Sequence, residues 1–322
     1  MSRRPDPHPI RDFFIADIID YAPKDERAMM ERPFFSLAKR KRNKPIEYES
    51  DDASVWVRVK AHPEYGMATI WDADILIWCI SKIVAERDKG KNLETPTIHT
   101  TPYELLKGIA RGTSGTEYRR LFEAMRRLRS TSIETNIRGG RRGFADFNWL
   151  AEIEGEGNID SPEQMESVRS LALTLPSWIY RAIIKSENVL TLDREYFLLT
   201  GGLDRALYRI ARKHAGSQPQ GWMCTTAQLH KKTGSDSSNK KFAEMLRKLV
   251  KADNLPRYSM TATATQDGSP AVRFIDRDIA AYTATQQKRE ADDVRRSRLA
   301  AEDARAILID AGVNPRTKAE GG

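Results

Sequence analysis

The sequence contains little cysteine and no long apolar run. Its two cysteines, Cys79 and Cys224, are far apart in the chain, which excludes both a disulfide framework and a zinc-finger spacing. Each lies in an apolar context, so we expect small core residues in a reducing compartment. No apolar stretch approaches the roughly 20 residues that cross a bilayer, and residues 1–9 are polar, unlike a signal peptide. We therefore expect a soluble, cytoplasmic protein with no membrane partner.

The sequence also lacks catalytic and metal-binding motifs. No Gly-x-x-x-x-Gly-Lys-Ser/Thr run occurs anywhere, which argues against ATP hydrolysis. The five histidines are scattered and offer no pair with metal-ligand spacing. Paired acids such as Asp51 and Asp52 lie in polar runs that are typical of solvated loops. We expect a binding protein, not an enzyme, with no catalytic residue, no metal and no cofactor.

Positive charge is in excess. Lysine and arginine number 53 against 45 acidic residues, a net charge of +8. This excess favours an acidic polymer as partner, although ribosome-associated and membrane-surface proteins share the property. The length of 322 residues is typical of two domains with tails.

A helix-turn-helix pattern begins near residue 100. Thr101 followed by Pro102 is a helix start, and a short helix is predicted over residues 103–111. A Gly-Thr-Ser-Gly break separates it from a second helix over residues 116–129. Two extended runs follow, at 131–137 and 144–153. Helix, turn, basic helix and hairpin in this order predict a winged helix.

The second helix of this pattern carries a basic face. Its apolar side chains share one side: Tyr118, Leu121, Phe122, Met125 and Leu128. Its polar side chains lie opposite or on the flanks: Thr116, Arg119, Arg120, Glu123, Arg126 and Arg127. Such a face can meet phosphates and guanine edges. Taken alone, it is equally well explained as the solvated face of a basic protein.

A second copy of the pattern favours nucleic-acid binding. Residues 225–232 open another short helix, Gly234 and three serines break it, and residues 239–252 form another basic amphipathic helix. A hairpin at 257–265 and 271–276 closes around Asp267-Gly268, a strong turn signal. Residues 119–128 match residues 240–249 column by column in basic and apolar character. We predict an α+β protein of two tandem winged-helix domains related by internal duplication.

The predicted domains are a flexible N-terminal segment (1–30), winged-helix domain 1 (31–155), winged-helix domain 2 (156–280) and a charged C-terminal tail (281–322). The boundary is set by the Gly-rich acidic stretch at 154–163. An alternating strand at 171–175 opens the second domain. A helix at 203–214 follows, with Arg205, Arg209, Arg212 and Lys213 expected to face outward. The tail is predicted to be a solvated helix or one that orders on contact.

A basic run, Lys-Arg-Lys-Arg-Asn-Lys, lies at residues 39–44. Such a cluster attracts phosphates without regard to sequence. The alternative is a solvated loop.

Three runs carry a resemblance to a known family: ERPFFSLAKR at 31–40, ATIWDADILI at 68–77 and PSWIY at 176–180. They resemble the plasmid replication initiator protein A family of bacteria, over about residues 30–278. The resemblance implies an initiator that binds repeated origin sequences (iterons), helps melt adjacent AT-rich DNA and recruits the host replication initiator and replicative helicase. By analogy with the wider class, it also implies a possible homodimer, often autorepressing, that gives way to origin-bound monomers.

Base-reading and phosphate-contacting roles follow from the two basic faces. The predicted base readers are Arg120, Glu123 and Arg127 in the first helix and Lys240, Glu244 and Arg247 in the second. The predicted phosphate contacts are Arg119, Arg126, Lys231, Lys232, Lys241 and Lys248. Three arginines in the first hairpin, Arg138, Arg141 and Arg142, are expected to reach flanking backbone or a minor groove. The second hairpin has no such cluster, so the modules can differ in role.

Two other functions fit the same pattern. One is a transcriptional repressor with this DNA-binding architecture and no role in origin opening. The other is a protein–protein scaffold whose basic faces meet acidic proteins; its affinity for DNA would barely respond to salt.

Overall fold

The computed structural model describes residues 23–90, 95–137, 143–157, 167–184, 189–216 and 218–310. The N-terminal elements are β1 (Lys24–Glu26), α1 (Arg27–Met30), β2 (Ile46–Glu49) and β3 (Trp56–Lys60). The next are α2 (Ala73–Asp88), β4 (Thr97–Thr100), α3 (Pro102–Gly108), α4 (Gly115–Ser130), β5 (Ser132–Thr135), β6 (Ala145–Asn148), β7 (Glu152–Gly157) and β8 (Val168–Thr174). Then come α5 (Ser177–Ile184), β9 (Val189–Thr191), a 3₁₀ turn (Arg194–Leu198) and α6 (Gly202–His214). The last are β10 (Trp222–Thr225), α7 (Thr226–Thr233), α8 (Asn239–Ala252), β11 (Tyr258–Ala264), β12 (Pro270–Asp276) and α9 (Arg277–Asp310).

Two stretches of the chain repeat one architecture. We define unit 1 as residues 73–174, which contain, in order, the elements α2, β4, α3, α4, β7 and β8. We define unit 2 as residues 202–276, which contain the same types of element in the same order: α6, β10, α7, α8, β11 and β12. Each unit closes a three-stranded antiparallel sheet with the same strand order, β4–β8–β7 in unit 1 and β10–β12–β11 in unit 2. Both units are therefore a helix-turn-helix backed by a strand pair. Their origin by duplication stays a prediction.

The helix starts follow local capping chemistry. The Thr101 side chain accepts a hydrogen bond from the Glu104 amide at the start of α3, with Pro102 in the first turn. Thr225 and Gln228 form a reciprocal capping box at the start of α7. Gly234 ends α7 with a φ of +62°, and a Cβ there would lie 2.5 Å from the Pro33 Cβ. Glycine is thus required both by the backbone and by the close approach of Pro33 from the N-terminal part of the chain.

Unit 1 is joined to a second sheet that has no counterpart among the described residues of unit 2. Between α4 and β7 the chain makes the hairpin β5–β6, which extends β2 and β3 into a four-stranded sheet, β2–β3–β5–β6. The hairpin predicted at 131–153 is confirmed as a strand pair, because β5 and β6 pair with each other. It belongs, however, to this other sheet and not to the three-stranded sheet of unit 1. Its three arginines, Arg138, Arg141 and Arg142, lie outside the described residues.

The strand pair behind α4 is instead β7–β8. Residues 154–157 were predicted to belong to the acidic stretch between the domains, but together with Glu152 and Ile153 they form β7 and pair with β8. The strand predicted to open the second domain is β8, which pairs with β4 of unit 1. A boundary between residues 155 and 156 therefore cuts through a strand. The following helix α5 also packs in the first core through Trp178, Ile179 and Ile183.

The described residues form two buried clusters. The first joins unit 1, the four-stranded sheet and α5. The second belongs mainly to unit 2, with Met30 and Ile77 contributed from earlier in the chain. The segment predicted to be flexible is ordered from residue 24, because β1 pairs with β9 and Met29 and Met30 are buried. Residues 1–22 lie outside the described part of the chain.

The C-terminal charged segment is helical to Asp310. Within the described residues no helix is both long and apolar enough to cross a membrane. In the same part of the chain, no group of three or more potential ligands lies together as a metal site would require.

Candidate nucleic-acid interface

Helix α4 presents a basic face to solvent. Leu121, Ala124, Met125 and Leu128 are buried, which fixes the side of the helix that docks on unit 1. Three of the predicted contact residues lie on the opposite side and are exposed: Arg119, Arg120 and Glu123. Arg120 pairs with Glu117 one turn earlier on the same helix. Such an exposed pair contributes little to stability and can be exchanged for a phosphate or a base.

Arg127 is held inside the unit. Its Nε lies 2.7 Å from Asp72 Oδ2 and its Nη2 lies 2.8 Å from Asp72 Oδ1, a bidentate pair. Burial alone would lower the pKa of Arg127, but the hydrogen bonds and charge of Asp72 raise it. Only 23% of the side chain is exposed. Arg127 therefore ties α4 to the start of α2 and has to break this pair before it can reach a base.

Arg126 covers aromatic rings beside the exposed face. Its Cζ lies 4.2 Å from the centroid of Phe122 and 5.6 Å from that of Tyr65. Tyr65 in turn stacks on His62, with 4.7 Å between ring centroids. Cation–π contacts of this kind orient the guanidinium without neutralising it. Arg126 keeps its charge at the flank of α4, the position expected of a phosphate contact.

Helix α8 presents a broader basic face. Phe242 and Leu246 are buried against unit 2, and the exposed cations stand away from them: Lys240, Lys241, Arg247 and Lys248. Glu244 lies among these cations, 2.9 Å from Lys248 Nζ and 3.5 Å from Lys241 Nζ. The hydrogen bond from Lys248 and the charge of Lys241 lower the pKa of Glu244. The carboxylate stays ionised and able to accept from a base amino group.

The lysines of α7 face acids of the N-terminal part of the chain. Lys231 Nζ lies 2.8 Å from Asp51 Oδ1 in the turn between β2 and β3. Lys232 Nζ lies 3.9 Å from Glu31 Oε2, and 21% of its side chain is exposed. Both residues were predicted to contact phosphates, and the acids that they face lie far away in the chain.

The arginines predicted to face outward from α6 are buried ion pairs. Arg205 Nη1 lies 2.6 Å from Asp74 Oδ1 of α2, and Arg209 Nη2 lies 2.7 Å from Asp25 Oδ2 of β1. Each arginine is 2% exposed and each aspartate 0%. The outward prediction for Arg205 and Arg209 is wrong, because α6 packs on two sides, against its own unit and against α2 and β1. A signal was present in the sequence, since Asp72 and Asp74 interrupt an otherwise apolar run from Ile70 to Ile80.

Burial raises the pKa of Asp25 to about 6 against the pull of Arg209. It also raises the pKa of Asp74, although Arg205 and Arg111 oppose the shift. Glu31 behaves differently. Its partial burial would raise the pKa, but the hydrogen bond with His214 and the nearby Arg32, Lys213 and Lys232 lower it to about 2. We name this group of ion pairs between α6–α7 and the N-terminal part of the chain the ionic seam: Asp25–Arg209, Glu31–His214, Asp51–Lys231 and Asp74–Arg205.

The two strand pairs behind the basic helices differ in charge. In unit 1, β7 exposes Glu152, Glu154 and Glu156 on one face, an arrangement that repels phosphates. In unit 2, β11 exposes Thr261 and carries no charged residue. The turn of the second hairpin is stiffened by Asp267, whose carboxylate accepts hydrogen bonds from Thr265 and Ser269.

Comparison with known proteins identifies the family. The model of the family described as Replication initiator protein A matches residues 24–260. The chain belongs to this replication initiator family. The expectation raised by the three sequence runs is thereby confirmed.

Related proteins agree with this assignment. A protein of Wigglesworthia glossinidia brevipalpis, named as a candidate replication protein, is 34% identical over 267 residues, which covers 80% of this chain and 92% of that protein. Among solved structures, the crystal structure of domains 2 and 3 of RctB aligns with a TM-score of 0.55 and 11% identity, over 76% of this chain and 95% of that one. This alignment supports the mixed α/β fold of the chain.

Proposed function

We propose that this initiator binds double-stranded DNA at repeated origin sequences through the exposed faces of α4 and α8. It thereby starts plasmid replication, promotes origin opening and recruits the host replication initiator and replicative helicase. The observation that carries the proposal is the placement of an exposed basic helix at the same position in both units. Membership in a replication initiator family supports the step from DNA binding to initiation. The proposal assigns no catalytic step to the protein.

Base reading falls to the side chains that are exposed and free to reorient. In α4 these are Arg120 and Glu123, and in α8 they are Lys240, Glu244 and Arg247. Phosphate contacts fall to the flanks: Arg119, Arg126, Lys241 and Lys248. We assign no DNA contact to Arg127, Lys231 or Lys232, because each faces an acid that lies outside its own helix. Two such helices on one chain suit successive major grooves, about 34 Å apart.

The decisive experiment is footprinting on DNA that flanks the gene, at two salt concentrations. Protection of regularly spaced direct repeats beside an AT-rich segment supports initiation. Protection of a single inverted repeat over the promoter indicates a repressor. Absence of protection at either salt concentration contradicts DNA binding and favours the scaffold.

Single substitutions then test the reading helices. We expect Arg247→Ala to weaken binding to the repeats by about 1–3 kcal/mol and to relax base preference at one position. Arg298→Ala is the matched control, since Arg298 lies on α9 and pairs with Glu302. An equal loss on repeat DNA and on random DNA makes Arg247 a phosphate contact instead. A loss of the same size in Arg298→Ala removes the assignment to α8.

A further inference from the structure

The basic run at residues 39–44 has no role in the contacts described so far. Lys39, Arg40, Lys41 and Lys44 are exposed, whereas Arg42 is buried, with 9% of its surface accessible. Among the described residues, no acidic side chain forms a salt bridge with the three lysines. The segment therefore presents unneutralised positive charge around one buried arginine.

The buried arginine anchors the loop to unit 2. Arg42 Nη1 donates to the Gly234 carbonyl at 2.8 Å, and its Nε donates to the Lys44 carbonyl at 3.1 Å. Arg40 Nη2 lies 3.5 Å from Asp236 Oδ2. Gly234 and Asp236 belong to the turn that leads from α7 into α8. One side of the loop is thus fixed beside the start of the basic helix of unit 2.

The other side of the loop is fixed to a turn that touches α4. The Met67 amide donates to the Arg42 carbonyl at 2.9 Å, and a Cβ placed on Gly66 would lie 2.7 Å from Lys41 Cγ. Tyr65, the preceding residue, contacts Arg126 of α4 through its ring. The loop therefore lies between the turn that contacts the flank of α4 and the turn that precedes α8. A main-chain hydrogen bond holds it to the first turn, and the side chains of Arg42 and Arg40 hold it to the second.

We infer that Lys39, Lys41 and Lys44 hold the phosphodiester backbone of duplex DNA between the two grooves entered by α4 and α8. This inference rests on the proposed function, since it needs both helices on one duplex. If they occupy successive major grooves, the backbone that separates those grooves passes between them. The loop occupies that position and its backbone is already ordered, so that its charges need little rearrangement on binding. A merely solvated loop does not require a buried arginine that bonds to the neighbouring unit.

The first test removes the charges. The variant Lys39→Gln/Lys41→Gln/Lys44→Gln in the full chain should bind both repeat and random duplexes more weakly. The slope of log K against log salt should become shallower by about 2.7, since each lost phosphate contact contributes about 0.9. Lys288→Gln/Arg289→Gln/Arg295→Gln on α9 is the control with the same change in net charge, and its slope should stay close to that of the wild type.

The outcomes separate this inference from the proposed function. An unchanged slope in the loop variant, with a steep slope in the wild type, overturns the inference alone. A wild type that binds no DNA overturns both. Because Lys39 also lies over the ring of Trp71, 5.3 Å from its centroid, thermal unfolding is compared first. If the triple variant is unfolded, the double variant Lys41→Gln/Lys44→Gln replaces it, with an expected change in slope of about 1.8.

The second test places the loop on the DNA directly. Cys79 and Cys224 are both buried, so Lys41→Cys adds a single accessible thiol to which a DNA-cleaving iron chelate can be attached. Cleavage should fall between the two protected grooves of each repeat. Cleavage confined to the outer edges of the footprint, or absent while the footprint persists, overturns the inference.

Discussion

Unit 1 and unit 2 share a chain path but differ in what their basic helices are free to do. In unit 1, Arg127 is held by Asp72 and Arg126 lies on Phe122. At the matching positions in unit 2, Lys248 is 73% exposed and Arg247 is exposed. The matched positions therefore contribute to packing in unit 1 and remain at the surface in unit 2.

The strand pairs sharpen this contrast. Glutamates line β7 beside α4, whereas threonine and alanine line β11 beside α8. Phosphates are repelled by the first arrangement and tolerated by the second. Two helix-turn-helix units with the same backbone path can therefore differ in surface charge because of a few side chains on one strand.

The largest expected effect concerns the seam that joins the units. Asp74→Asn leaves Arg205 buried without a counter-charge, and we expect the free energy of unfolding to fall by about 3–5 kcal/mol. Urea unfolding measures the loss, with Asp278→Asn as the exposed control. Replacing both partners, Asp74→Leu with Arg205→Leu, should restore much of the stability. A loss below about 1 kcal/mol in Asp74→Asn would show that the pair is not what holds α6 on α2.

The next effect depends on pH. Glu31 has a pKa of about 2, below its ordinary value of 4.5. Its charge therefore adds stability that is complete above about pH 4.5 and is lost as the pH falls toward 2. We expect Glu31→Gln to lower the free energy of unfolding by about 2 kcal/mol at pH 7, after a discount for the solvent that reaches the group. The difference from wild type should shrink between pH 4.5 and pH 2.5.

Exposed Glu64 provides the control for that experiment. Glu64→Gln should change stability by less than about 0.5 kcal/mol at every pH. A Glu31→Gln deficit that is the same at pH 2.5 as at pH 7 would locate its cause in packing rather than in charge.

A paired comparison tests the different roles of Arg127 in unit 1 and Lys248 at the matching position in unit 2. Arg127→Ala should lower the free energy of unfolding by about 2 kcal/mol, because it strands the buried Asp72 carboxylate. Lys248→Ala should leave stability within about 0.5 kcal/mol and weaken binding to any DNA. Urea unfolding and titration on random duplex measure the two effects. If both variants lose stability equally, the contrast between the units fails.

The smallest expected effect concerns the strand pairs. Thr261→Glu/Ala264→Glu on β11 should weaken DNA binding by about 1 kcal/mol at low salt, an effect that salt screens. Glu152→Gln/Glu154→Gln on β7 should change affinity by less. Filter binding at two salt concentrations measures both. Equal and opposite responses of the two strands would indicate that both lie equally close to DNA.

The sequence predicted the helices well because their signals are local. Helix α8 spans the predicted residues 239–252, and α4 differs from its prediction by one residue at each end. Both carry a clear apolar face, and α8 has a serine cap. Family membership was also within reach, since it rests on contiguous runs of residues.

Strand pairing in unit 1 was not predictable in the same way. The hairpin β5–β6 and the strand pair β7–β8 both form, but local pattern predicts only the hairpin. The sheet that each joins depends on β3 and β4, which lie far earlier in the chain. Edge strand β7 has no apolar alternation because most of it is exposed, so it resembled a linker.

The candidate site could be predicted in part. Amphipathicity showed which side of α4 and α8 faces away from the core. It could not show that Asp72 forms an ion pair with Arg127, or Asp51 with Lys231, because each acid lies outside the helix of its partner. Burial of Arg205 and Arg209 was missed for the same reason. Periodicity treats every arginine as a surface residue and takes no account of a distant aspartate.

The sheet topology also determines the order in which the strands can pair during synthesis. Every strand of unit 2 lies within residues 222–276, so this unit can fold soon after its last strand leaves the ribosome. Unit 1 begins earlier in the chain, but its sheet is complete only when β8 pairs with β4. Strand β1 pairs only after β9 has been synthesised, with Lys24 opposite Thr191. Long-range pairing of this kind is slow. The first strand of the described chain therefore stays unpaired until β9 has been synthesised, although it precedes every other strand.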